Sequence, residues 1–169
     1  MQSAMHAPSN PLARYIEVLW WHEIPGYHGR ELILPSPYME LIVNLGEPHK
    51  VFRDAELREF EWQKEAWLAG MQTQYLAIES TTSHMIGARF KPGGAHAFFA
   101  RPIFEFTDRV AALDELWPEA DEVRATIVAA NAEERSFAAS ERALSARLRK
   151  ESAAYPLVQA AIERMQASR

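Results

Sequence analysis

The stretch Gly87-Ala88-Arg89-Phe90-Lys91-Pro92-Gly93-Gly94-Ala95 divides this chain into two halves of different periodicity, and no single fold element can run through it. Before it, Met85 to Phe90 reads as a strand. After it, Ala95 to Ala100 reads as a helix opening toward Pro102. Glycine makes such a turn at low steric cost, and its amides, with Arg89 and Lys91 beside them, also suit an anion. Lys91, Gly93 and Gly94 are therefore a candidate anion site, with plain steric need as the alternative.

Upstream of the junction the chain is a series of short strand patterns. Tyr15 to Ile24 is dense in β-branched and aromatic residues and closes at Pro25-Gly26. Glu31 to Leu34 follows. After Pro35-Ser36-Pro37, the residues Met39, Leu41, Val43 and Leu45 alternate with Glu40, Ile42 and Asn44. Val51-Phe52, Ala66 to Gly70, Tyr75 to Thr81 and His84 to Phe90 are further strands, and Asp54 to Lys64 reads as an exposed loop or hairpin. Strands at such regular intervals argue for a small antiparallel barrel or sandwich that ends at Pro92.

Downstream the patterns are helical. Thr107-Asp108 has the chemistry of an N-cap for a helix over Arg109–Trp117, which Pro118 ends. A second helix is expected over Glu119–Ala130. A third, over Glu133–Lys150, places Phe137, Leu144 and Leu148 on one stripe that serves either the core or a partner helix. Pro156 suits the first turn of a last helix bearing Leu157, Ala161, Ile162 and Met165. Residues 1–11 are polar and proline-bearing, which predicts a disordered lead-in.

Charge narrows the partners. Residues 1–140 hold 12 basic against 20 acidic side chains, whereas residues 141–169 hold 6 against 3. An acidic body repels a polyanion, so this portion is not expected to grip nucleic acid through phosphates. There is no cysteine for a disulfide, thiolate metal site or thiol nucleophile, in keeping with a cytoplasmic location. No apolar run approaches membrane length and no secretory leader pattern opens the chain. The six histidines show neither His-x-His nor His-x-x-x-His spacing, so no metal site is expected, although His22 and His84 are left free to converge in space. No nucleophile elbow and no nucleotide fingerprint occurs, and no catalytic residue or cofactor is assigned.

What remains is a pocket. Trp20, Tyr38 and Trp67 supply ring surface suited to a small apolar or planar molecule, while alternation sends Trp20 and Trp21 to opposite faces. Glu40, Asn44 and Arg89 form a polar set within it, or else Glu40 and Arg89 are a structural ion pair.

Taken in order, several blocks resemble the N-terminal regions of a group of AraC-family transcriptional regulators. They are Leu12-Ala13-Arg14-Tyr15-Ile16 with Leu19-Trp20, Leu34-Pro35 with Glu40 to Gly46, the stretch Gly87 to Ala95, and Phe106-Thr107-Asp108 with Leu113 to Trp117. The group's acidic residue and glycine after Leu-Pro are replaced here by Ser36-Pro37. The resemblance implies an α+β protein: a cupin-like antiparallel β-barrel sensing domain over 12–100, lacking the cupin metal histidines, then a helical dimerisation and linker segment over 101–169. It implies a homodimer that binds a small-molecule effector and reaches DNA only through a helix-turn-helix domain missing from this chain. Phe137, Leu144 and Leu148 are then the candidate dimer contacts. A small barrel isomerase or hydrolase, with Glu40 or His84 as general base and Arg89 holding an anionic substrate, is the alternative, as is a stand-alone small-molecule binder.

Overall fold

A computed structural model describes residues 1–52, 56–63, 65–81, 83–130, 132–149 and 152–168, apart from the Gln166 side chain. Ten strands come first: β1 (Gln2–His6), β2 (Ile16–Ile24), β3 (Gly29–Ile33), β4 (Glu40–Asn44), β5 (His49–Phe52), β6 (Phe60–Gln63), β7 (Ala66–Ala69), β8 (Leu76–Ser80), β9 (Ser83–Phe90) and β10 (Val110–Ala112). Three helices follow: α1 (Ala120–Ala130), α2 (Glu133–Arg147) and α3 (Tyr155–Ala167). The α+β expectation holds in this order.

The strands form two antiparallel sheets. The larger has the order β1-β2-β9-β4-β7-β10 and the smaller β3-β8-β5-β6. Their inner faces look at one another, and among the described residues no ladder joins them, so of the barrel and the sandwich expected it is the two-sheet arrangement that forms. Alternation explains the layering. In β2, Trp20, His22 and Ile24 turn toward the smaller sheet, whereas Leu19 and Trp21 join the core on the other side. In β4 and β9, Leu41, Val43, Ile86 and Ala88 likewise turn outward, where they meet Trp117, Val123 and Ile127 of the helical layer and Leu144 of α2.

This second face is the main core. Leu12, Leu19 and Leu68 are fully enclosed, and Trp117 is 1% exposed. The Trp117 ring stacks on Phe99 at 5.3 Å, and its indole N–H donates to the Phe98 carbonyl at 3.2 Å. Arg149 fastens the end of α2 to the turn after β9: its backbone N–H donates to Ala97 O and its guanidinium to Phe99 O.

Several expectations are corrected. The N-terminal residues are not a disordered lead-in, because Gln2–His6 pairs with β2 over a full five-residue register. The Asp54–Lys64 segment includes β6, which closes a hairpin on β5; its ends lie outside the described residues. The junction leads into a 3-10 turn over Gly94–Ala97 rather than a longer helix. No helix spans 109–117. Asp108 has φ +56°, and its carboxylate accepts from the Thr73 N–H at 2.6 Å and hydroxyl at 2.7 Å instead of capping a helix. The chain then runs antiparallel to β7 as β10, so pairing with a waiting sheet edge overrides local propensity.

The stripe on α2 is corrected as well. Phe137 and Leu144 are 4% and 2% exposed, within the core of their own chain, and Leu148 packs against that core. They are not a free surface for a partner helix. On α3, by contrast, Leu157 and Met165 stand 74% and 71% exposed.

Candidate functional site

A cavity of about 450 Å³ lies between the inner faces of the two sheets. That size falls within the range of small-molecule sites, about 300–1,000 Å³. Its walls are mostly apolar, with Trp20, Ile42, Trp67, Ile78 and Met85 among them. Hollows of similar volume open elsewhere on the surface, but one is walled by acidic residues such as Glu61, Glu65 and Asp121 and offers no comparable apolar surface.

One row of residues builds the large-sheet wall. Trp20 pairs with Gly87, Gly87 with Ile42, and Ile42 with Trp67 across four neighbouring strands. Partners opposite one another point to the same face, so both indoles reach the cavity, about 14 Å apart at their strand axes. The gap at Gly87 is what lets Trp20 lie down: a Cβ there would stand 2.3 Å from Trp20 Cζ2. The Trp20 ring then stacks on His22 at 5.3 Å with the planes 5° apart. Trp67 meets the edge of His49 from the smaller sheet at 5.9 Å.

The polar groups gather around these rings. His22 shares a 2.7 Å hydrogen bond with the Ser83 hydroxyl. His49 is 2% exposed, and neither of its ring nitrogens has a hydrogen-bond partner. Burial lowers the pKa of both imidazoles, opposed in each case by the negative charge of Glu31. Glu31 itself accepts from the Tyr27 hydroxyl, whose pKa that bond pushes up to about 12.

Of the six residues expected in a pocket, three line this cavity: Trp20, Glu40 and Trp67. Arg89 donates to Glu40 at 2.7 Å and lies over the Tyr38 ring at 5.2 Å, so Tyr38 and Arg89 belong to a polar brace beside the cavity, not to its lining. Burial works against the Arg89 charge, but the hydrogen bond and charge of Glu40 leave its pKa raised. Asn44 shares the face of Glu40 but is wholly enclosed by its own turn. Its amide donates to Glu47 O at 2.7 Å, and its side-chain oxygen accepts from the Gly46 N–H at 3.0 Å.

At the junction, the groups expected to hold an anion are engaged within the chain. Lys91 Nζ donates to Ala13 O at 2.6 Å, and the Gly94 N–H donates to Lys91 O at 2.7 Å. Gly93 takes φ +76°, and a Cβ on Gly94 would stand 2.1 Å from the Tyr15 carbonyl oxygen. The two glycines serve the turn and its close approach to the chain. His22 and His84 do not converge, because His84 lies on the opposite face, edge-on to Trp21. The same alternation puts His84 and Glu40, the alternative bases of the isomerase or hydrolase reading, on opposite faces of the large sheet. Among the described residues no cluster of three metal-ligating side chains occurs.

His22, Glu31, His49 and the buried Gln63 were missed as pocket residues. Alternation from Trp20 points to His22. For the others the signal is absent locally, since the strands that carry them are short and their facing sheet is set by tertiary structure.

A family model matches residues 4–112, a span that runs from within β1 to the end of β10 and so covers both sheets without the helices; the family is described as a domain of unknown function, DUF6597. No curated protein and no solved structure is significantly similar to the chain.

Proposed function

We propose that this chain, which belongs to the DUF6597 family, is the small-molecule-sensing part of a transcriptional regulator of AraC-like organisation, with the inter-sheet cavity as its effector site. The observation that carries the reading is the apolar cavity of about 450 Å³ with an indole at each side of one wall. The order of sequence blocks that resembles such regulators supports it. An effector that fits between the sheets biases their separation, and the helical layer packed on the outer face of the large sheet is placed to feel that change.

Pairing of two copies is the other half of this reading. It does not run through Phe137 and Leu144; it runs through α3, where Leu157, Val158 and Met165 face solvent. DNA is reached by a separate domain joined beyond α3, since the acidic body is unsuited to phosphate contacts.

Ligand binding tests the cavity half. Quenching or shift of tryptophan emission by a small apolar molecule, abolished in Trp67→Ala, supports the reading, and a panel of such molecules that leaves emission and melting temperature unmoved opposes it. Light scattering tests the pairing half: a reversible dimer that Leu157→Glu with Met165→Glu dissociates is expected, and a strict monomer at high concentration rules it out.

A further inference from the structure

We infer that the inter-sheet cavity selects a positively charged, otherwise apolar ligand, a protonated aromatic amine, with Glu31 as counter-ion and Trp20 and Trp67 as its walls. This rests on the reading of the cavity as a ligand site and adds the charge of what enters it. The lining carries two carboxylates, Glu31 and Glu40, and no lysine or arginine; the Met1 ammonium also borders it, but no ion pair joins it to Glu31 among the described residues. Glu40 already has the Arg89 guanidinium at 2.7 Å. Glu31 has no cationic partner among the described residues; it accepts only the neutral Tyr27 hydroxyl. The two imidazoles nearest it, His22 and His49, are held toward the neutral form by burial, so they leave its charge uncompensated. A carboxylate facing a largely apolar cavity is costly without a countercharge, and a ligand cation supplies one.

The remaining groups suit the same ligand. Indole rings attract cations, and both Trp20 and Trp67 line the cavity. His49 lines the cavity, is 2% exposed, and has two ring nitrogens without partners. A ligand carboxylate would instead meet Glu31 with no lysine or arginine on the lining to offset the repulsion.

Three matched probes separate charge from shape: tryptamine, tryptophol and indole-3-acetate, titrated calorimetrically into the whole chain at neutral pH. Tryptamine is expected to bind at least tenfold tighter than tryptophol, with indole-3-acetate weakest. Glu31→Gln is expected to bring tryptamine down to the level of tryptophol while tryptophol itself is unchanged. Equal or tighter binding of indole-3-acetate overturns the inference, as does an amine preference that survives Glu31→Gln. The ordering of the three probes on the unmutated chain stands whatever the stability of the variant. Binding of all three with no preference removes the charge selection and leaves the cavity reading intact. Failure of all three to bind, with tryptophan emission unmoved, removes both.

Discussion

The Trp20 indole lies across the backbone of Gly87, its partner on the neighbouring strand, in space that any side chain at position 87 would occupy. The consequence is that the shape of the cavity wall depends on a residue with no side chain of its own. In Gly87→Ala the ring must leave, since the nearest contact would be 2.3 Å. Overpacking of this kind costs about 1–3 kcal/mol. A melting temperature lowered by several degrees, with a red-shifted or blue-shifted tryptophan emission from the displaced ring, is the expected result.

His49 makes a pH prediction. Its folded pKa lies below the ordinary 6.5 because burial disfavours the charged ring. The unfolded chain therefore binds more protons than the folded one as pH falls below about 6.5, and stability that is complete above that point is lost progressively on acidification. His22 contributes in the same direction. His49→Phe removes its share of the slope and its two unpartnered nitrogens, each orphan of this kind costing about 1–3 kcal/mol. Thermal melts from pH 8 to pH 5 should show the variant at least as stable as the parent at pH 8 and flatter toward acid.

Leu144 decides between core and interface. With 2% of its surface exposed, Leu144→Ala should lower stability by about 2–5 kcal/mol without altering the association state. Chemical denaturation and light scattering on the same sample check both parts. A folded variant that merely loses dimers would contradict the packing described above.

Asn44, with no exposed surface, closes the turn after β4 through side-chain hydrogen bonds to Glu47 O and the Gly46 N–H. Asn44→Ala removes both bonds, and because Gly46 is half-buried and Glu47 exposed the loss is about 0.5–1.5 kcal/mol for each. Asn44→Asp keeps the acceptor but sets a carboxylate oxygen against the Glu47 carbonyl, so its melting temperature should also fall below that of the parent.

Strand existence was legible wherever alternation ran long enough: in β2, the opposed fates of Trp20 and Trp21 follow from period two alone. The Glu40–Arg89 pair was legible in the same way, as two residues on facing strands. What could not be read was which face met what. β10 carries a sequence of good helical propensity and became a strand because β7 offered an open edge. His49 opens its strand one residue before any alternation could be counted, and its place opposite Trp67 is set by how the two sheets come together. The stripe on α2 was visible, but periodicity marks an apolar face without saying whether its cover belongs to the same chain.

Because β1 pairs along β2, Met1 and Ser3 stand on the wall of the cavity itself. Residues joined ahead of Met1, such as a purification tag, would therefore emerge beside this cavity, whereas an addition after residue 169 would begin past α3. A label placed ahead of Met1 would thus both report on the cavity and perturb it.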